Sequence, residues 1–493
     1  MATRITIDPV TRLEGHLKID ITVDRAGGQQ QIVDAQATGT LFRGFETVLC
    51  GRDPFDAPDI TARICGVCPT PHNQAAVAAL DAAMGVIVPD NARVMRNLVL
   101  AADFLHSHIL HFYQLAALDF MVPPAMAPWQ PGWTSDIRID QSTSDVLVQH
   151  YVAALDMRRT AHEMGAVFGG RLPHTAAFIG GGFTGGPTSA RIEQFRAYAR
   201  KILPFIRDVY ATDVEAIGQY YPDYLHVGRG QANLLAFGVF EQDSSGDSRL
   251  LARGRKDADV AGILPVDVRA IGEDVARSWY SDTNGLNPSA GTTTPVYPKT
   301  NAYTWLKAPR YAGKVYEVGP LARMTVNGDY HNGVSVIDRH RARWAEALKI
   351  AGALEGWLDQ LVPTAPVFVE GTILSGRSGY GLTEAPRGAL GHWLTVRSGT
   401  ISRYQVVTPT CWNASPRDAR GVPGALEQAL IGTPIRDVDQ PIEALRVVHS
   451  FDPCLSCAVH VVSPGRKAAV KVTRAGAVRQ VSDRVRAEVS CRW

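Results

Sequence analysis

Hydrophobic spacing divides the chain into strand-like and helix-like stretches. From Leu17 to Val23 apolar and polar residues alternate (Leu17-Lys-Ile-Asp-Ile-Thr-Val23), as in a strand with one buried face. With Thr6-Ile7 before it and Gly27-Gly28 after it, residues 4–48 predict a half-buried antiparallel sheet. The period then changes. Val94, Leu98, Ala101, Leu105, His108/Ile109, Phe112 and Leu115 recur at three- and four-residue steps, which predicts one long helix over 90–120 with Asp90 or Asn91 as N-cap. Further helices are predicted over 74–84 (Ala-rich), about 146–168, from Thr188 or Ser189 to about Tyr220, and about 341–361. Residues 222–335 read as mixed and turn-rich, and 402–407 as a short strand. No internal repeat or low-complexity linker interrupts the chain.

Length and composition narrow the class. The 493 residues are 45% apolar and 20% charged, as in a folded soluble protein. No apolar run approaches the roughly 18 residues that span a bilayer. The N-terminus, Met1-Ala-Thr-Arg-Ile-Thr-Ile-Asp-Pro9, lacks a signal-peptide core, so export would need another chain to carry it. The net charge of +2 is unevenly placed: after His460 come eight Lys/Arg against Asp483 and Glu488, and without that tail the balance is −4. The tail reads as a separable appendage, and the body has no basic stripe pointing to nucleic acid.

The chemistry lies in the thiols. Of seven cysteines, four form Cys-x-x-Cys pairs at Cys65/Cys68 and Cys454/Cys457, near opposite ends of the chain. Cys50, Cys411 and Cys491 have no motif partner and read as incidental or buried small side chains. Two paired dithiols fit three chemistries: a structural four-thiolate zinc site, a redox dithiol, or a soft catalytic metal centre. Ribbon-type zinc pairs lie about 15–20 residues apart, which weighs against zinc here. A redox dithiol needs only one pair. A shared site requires both ends of the chain to pack around the long helices, predicting one interlaced unit over 1–460. The Gly-rich loop 180–187 lacks the Gly-Lys-Ser/Thr ending of a phosphate cradle, so no nucleotide site is placed there.

The flanking residues separate the three. Asp452-Pro453 precedes one pair, His72 follows the other by four residues, and His460 follows Cys457 by three. With Thr11-Arg-Leu-Glu-Gly-His16, Phe42-Arg-Gly-Phe-Glu46, Arg63 to His72, His111-Phe-Tyr, Trp305 to Arg310, Glu317 to Arg323, Glu384 to Trp393 and Thr408 to Asn413, the chain resembles the large subunit of nickel–iron hydrogenases of the uptake, membrane-associated type. The likeness spans residues 4 to 460.

That resemblance implies an α+β, mostly helical fold, with long central helices and small β-sheets from the N- and C-terminal regions. It implies a nickel–iron centre with Cys65 and Cys454 as terminal nickel ligands and Cys68 and Cys457 bridging to iron. The iron carries carbon monoxide and cyanide, with Thr410, Pro409 and Arg387 lining the cyanide pocket. Heterolytic cleavage of dihydrogen releases a proton; Cys454 and Arg387, paired with Asp452, are the expected first acceptors and Glu14 the relay. Glu46 and His460 would hold a magnesium ion, His72 would orient a thiolate, and Val67 and Leu115 would narrow the gas path or simply pack. The family's His-Asp-His triplet reads His106-Ser107-His108 here, which should leave Arg387 with Asp452 as its main carboxylate partner. The resemblance also implies removal of residues 461–493 by a maturation endopeptidase, nickel-insertion chaperones, and a small subunit carrying the iron–sulfur clusters, since this chain has no spare cysteine cluster. It places the enzyme on the periplasmic side of the membrane, co-exported with that subunit, with a cytoplasmic site as the alternative. A hydrogen-sensing relative with slow turnover is the competing function; the quinone-side subunit of respiratory complex I lacks the four thiols.

Overall fold

The computed structural model describes residues 2–126, 129–130, 132–458, 471–474 and 477–478; for 457–458 and the last two segments it describes the backbone alone. The alternating N-terminal segment forms Thr3–Asp8, Leu17–Ala26 and Gln29–Gly39, joined by a turn at Gly27-Gly28. All pair antiparallel, with Ile5 opposite Ile21 and Ile7 opposite Ile19. Ile5, Ile7, Leu17, Ile19, Ile21 and Ile32 are buried on its core side. The outer edge of Thr3–Asp8 is covered by Lys471–Arg474, itself paired with Ala477–Val478. Part of the basic tail therefore joins the body, closing an otherwise open strand edge. The 460/461 junction lies outside the described residues.

Helices form the centre. Asp90–Ile109 packs against Gln141–Gly169 and Val336–Leu358, and Ser189–Pro204 packs on both of those. Asp90–Ile109 is buried on every side, from Asn91 to Ile109, as expected of a helix surrounded by others. Its N-cap is Pro89 rather than Asp90 or Asn91. Asn91 instead bridges to the 362–365 loop, donating to the Val362 and Ala365 carbonyls at 2.7 and 3.1 Å. The predicted continuation to residue 120 widens into a π-helix over Leu110–Ala116 and ends in a 3-10 turn. The helix predicted from 341 starts at Val336, because Ser335 and Asp338 form a reciprocal capping box. Thr188 caps Ser189–Pro204 as predicted, and the helical path runs on to Tyr220.

The dithiol-bearing parts are held by two close approaches. Helix Pro69–Met84 lies on strand Ser378–Ala385 of the sheet Ser378–Ala385, Gly388–Arg397, Thr400–Val407. A Cβ at Gly379 or Gly381 would sit 2.1 Å from the Ala79 or Ala75 carbonyl oxygen, so only glycine allows helix and strand to meet backbone to backbone. The same sheet carries Arg387 in the tight turn between Ala385 and Gly388. Among the described residues no helix is long and apolar enough to cross a membrane.

Candidate metal centre

The first thiol pair sits in the loop before Pro69–Met84, with Cys68 at the N-cap position and proline at the next. The second lies beyond helix Ile442–Ser450, after a reversal at Asp452, where φ is +54°. Strand and motif are then stitched together. Leu455 N donates to Glu14 O at 2.6 Å, and Glu14 bridges Cys454 in parallel. Gly15, at φ +86°, permits this: a Cβ there would lie 2.5 Å from Ser456 N.

Three of the four expected sulfur atoms meet. Cys65, Cys68 and Cys454 are buried, and their Sγ atoms all lie within 4.8 Å of one another. Cys65 Sγ is 3.3 Å from Cys454 Sγ and 3.2 Å from Cys68 Sγ. These separations are far longer than a disulfide of about 2.05 Å. They are of the order expected for sulfurs sharing one ion at roughly 2.3 Å each. Val67 N and Cys68 N donate to Cys65 Sγ at 3.2 and 3.3 Å, an arrangement that favours thiolate over thiol. The donors therefore fit a soft metal. The Cys457 side chain and His460 lie outside the described residues.

Charged groups surround the sulfurs. Arg387 Nη2 is 3.1 Å from Asp452 Oδ1, and both residues are buried. Burial works against the Arg387 charge, but Asp452 and the thiols Cys454, Cys68 and Cys65 outweigh it and hold the guanidinium protonated. Its other arm reaches Ser107 Oγ at 3.5 Å. Glu14 is half-buried. Burial first, and then the Cys65 thiol, raise its carboxyl above the ordinary value, while Ser456, Arg387 and Arg43 pull it down. A Cβ on Gly66, between the thiols, would lie 3.9 Å from Glu14 Oε1. A carboxyl beside a thiol with an elevated pKa is suited to carry a proton near neutral pH. Thr410 Oγ1 accepts from Cys454 N at 2.9 Å, so its hydroxyl hydrogen remains for a further acceptor. Pro409 opens that short helix and is buried beside it.

A hydrogen-bond chain reaches outward from His72, which lies one turn after Cys68. His72 Nδ1 is 3.1 Å from His392 Nε2, and His392 Nδ1 is 2.8 Å from Tyr404 Oη. All three residues are buried, and the phenol has no other partner among the described residues, so it must donate to His392. The His392 proton is then on Nε2, directed at His72 Nδ1, which leaves the His72 proton on Nε2.

Glu46 lies apart from the thiols. Its Oε1 accepts from Val406 N at 2.8 Å and its Oε2 from Thr293 Oγ1. Beside it a cavity of about 30 Å³ is lined by Glu46, Glu273, Lys307 and Tyr280 among others. Burial raises Glu273 to about 7. Cys411, on the same wall, is pushed by burial to about 12 and behaves as a small core side chain. Cys50 is exposed, and Cys491 lies outside the described residues. Val67 is half-buried, its carbonyl accepting from His106 Nε2 at 3.1 Å. Leu115 is half-buried, its carbonyl taken by Arg12 at 2.7 Å.

Two groups escaped the sequence reading. Arg43 reaches the carbonyls of Ile64 and Ser456 (the latter at 2.9 Å), tying the two dithiol loops together. Arg323, fully buried, uses all five N–H donors on Glu346, Glu384 and the Ala385 and Pro386 carbonyls just before Arg387. Both lie inside motifs noted above, but only contacts reveal what they hold.

The donor set defines the class first: sulfur donors in a buried site built from distant chain segments fit a thiolate-held soft-metal centre. Comparison with known proteins then gives the family. A family model described as nickel-dependent hydrogenase matches residues 43–145 and 123–460, and one described as HoxL-like matches 4–33. The periplasmic [NiFeSe] hydrogenase large subunit of Desulfomicrobium baculatum is 40% identical over 93% of this chain and 95% of its own length. The uptake hydrogenase large subunit of Bradyrhizobium diazoefficiens is 33% identical over 95% and 97%. The Ni-Fe-Se hydrogenase from D. vulgaris Hildenborough, solved in the reduced state, superposes with a TM-score of 0.90 at 42% identity, covering 93% of this chain and 100% of that one. The chain belongs to the nickel-dependent hydrogenase family and is a large subunit of it.

Proposed function

We propose that the chain is the catalytic subunit that cleaves dihydrogen reversibly into protons and electrons, the electrons passing to an iron–sulfur small subunit. The observation carrying this reading is the meeting of Cys65, Cys68 and Cys454 within 4.8 Å, with Glu14 alongside. Cys65 and Cys454 would hold the nickel, and Cys68 and Cys457 would hold both the nickel and an iron carrying carbon monoxide and cyanide. Two relatives carry selenium in their names. This chain has cysteine at all four positions, so its centre is all-sulfur. The bound metals supply a soft, electron-rich site at which the H–H bond is polarised.

The protein's own groups handle the proton. Cys454 receives it at the centre, where Arg387, held protonated by Asp452 and the thiols, supplies positive charge rather than a base, and Glu14, its carboxyl elevated by burial, passes it outward. Thr410 and Arg387 offer donors to an anionic ligand, with Pro409 packing beside them. His72 presents Nε2–H to a thiolate. Glu46, beside the cavity it shares with Glu273 and Lys307, would be one magnesium ligand, with His460 as the other. Residues 1–460 form the mature unit and 461–493 are removed after nickel insertion. The site of action is the periplasmic face of the membrane, reached with the small subunit, as the name of the D. baculatum relative suggests.

Glu14→Gln tests the reading. It keeps shape and hydrogen bonding but cannot carry the proton. Hydrogen uptake should fall by more than about 100-fold, with one nickel and one iron per chain retained. Near-normal uptake would remove Glu14 from the route, and zinc alone in the parent would refute the function.

A further inference from the structure

Asp103 precedes Ser107 by one turn on helix Asp90–Ile109, so the two share a face. That face turns toward the first dithiol. Ser107 Oγ is 3.5 Å from Arg387, and His106 Nε2 donates to the Val67 carbonyl, between Cys65 and Cys68, at 3.1 Å. Asp103 Oδ1 is 3.9 Å from that same His106 nitrogen, which sets its carboxyl against the dithiol loop. Asp103 has no solvent exposure, and neither oxygen has a hydrogen-bond partner of ordinary geometry among the described residues. Thr70 Oγ1, buried in the first turn of helix Pro69–Met84, is a donor within reach of it, though the pair falls short of ordinary hydrogen-bond geometry. A buried acid so poorly partnered destabilises a fold, and an apolar side chain would fill this position at lower cost. Packing does not account for it.

We propose that Asp103 is a second acid of the metal site, carrying one turn earlier on the same helix the carboxyl group that Ser107 lacks. This rests on Cys65 and its partners being the metal ligands. Asp103 holds one proton on the central-helix side of the thiols, while Glu14 serves the N-terminal strand side. Its charge alternates between zero and −1 as that proton is held or released. Burial first, and the Cys65 thiol, favour the protonated form, whereas the Thr70 hydroxyl and then Arg387 on the sheet favour the ionised one. His106 on its own helix faces it, and His162 and Arg158 on Gln141–Gly169 stand behind His106.

Infrared difference spectra of the holoenzyme, oxidised against hydrogen-reduced, test this in the carbonyl region of protonated carboxyls. A band that shifts in deuterium oxide is expected in the parent and in Glu14→Gln, and is lost in Asp103→Asn. Nickel and iron content should not change. Adding Ser107→Asp to Asp103→Asn should restore a carboxyl band and bring back the pH profile of hydrogen–deuterium exchange, displaced by about one unit in the single variant. Persistence of every band and an unmoved profile in Asp103→Asn would overturn the proposal. Should Asp103→Asn fail to load metal, Ser107→Asp in the parent decides: a new charge one turn away must shift the Asp103 band, and an unshifted band overturns the proposal. Parent protein without nickel and iron would instead refute the hydrogenase reading.

Discussion

Replacing Arg323 with methionine should destabilise the protein and disturb the site from a distance. Arg323 is fully buried and meets Glu346 at 2.6 and 2.7 Å, Glu384 at 2.7 Å, and the Ala385 and Pro386 carbonyls at 2.9 and 2.8 Å. Burial pushes Glu346 upward, but Arg323 outweighs it and brings the carboxyl down to about 2. Glu384, dominated by burial, stands at about 7 and can take a proton once its partner is gone. The loss therefore falls mainly on Glu346, which keeps only His108 at 2.8 Å. A displacement from the ordinary 4.5 to about 2 corresponds to about 3 kcal/mol. The Pro386 carbonyl left unpaired adds about 1 kcal/mol, for about 4 kcal/mol together, while the Ala385 carbonyl keeps its hairpin pairing with Gly388. Urea unfolding of the purified chain, followed by tryptophan fluorescence, measures this. The depressed Glu346 value stabilises the fold above its unfolded pKa of about 4.5, and that contribution fades as pH falls toward 2. The gap between parent and variant must therefore narrow below about pH 4.5. Arg323→Lys, with the charge but not the fork, should fall between them. A loss under about 1 kcal/mol at neutral pH, or a gap indifferent to acid, would refute the reasoning.

Two further outcomes follow from the same geometry. Gly15→Ala places a Cβ 2.5 Å from Ser456 N at a φ of +86°, so it should push the Cys454 strand off Glu14. A stability loss of at least about 1–2 kcal/mol and poor nickel retention are expected; metal analysis after gel filtration checks this, and full nickel occupancy would show the contact to be slack. Tyr404→Phe removes the donor that sets the His392 and His72 protons. The expected outcome is an altered nickel electron-paramagnetic-resonance spectrum at unchanged metal content, with an identical spectrum counting against the chain.

Much of this protein is legible without coordinates because periodicity and motif are local. The alternation from Leu17 to Val23 and the three-four spacing after Val94 state which faces must be buried. The Cys-x-x-Cys pairs announce metal chemistry wherever they end up. Element ends were less legible: Val336 rather than residue 341 begins its helix because Ser335 and Asp338 cap each other, and the widening at Leu110–Ala116 leaves no local signature. What distance in sequence hides is which groups meet. That Arg43 spans Ile64 and Ser456, that Arg323 binds the carbonyls ahead of Arg387, and that Asp103 is sealed beside the first dithiol all depend on contacts between segments 21 to 413 residues apart. Burial, likewise, is a property of the packed body. Burial foremost, with the Cys65 thiol beside it, raises the Glu14 carboxyl above its value in water. The residues for the chemistry were written in the chain; their protonation and their mutual reach were decided by the fold.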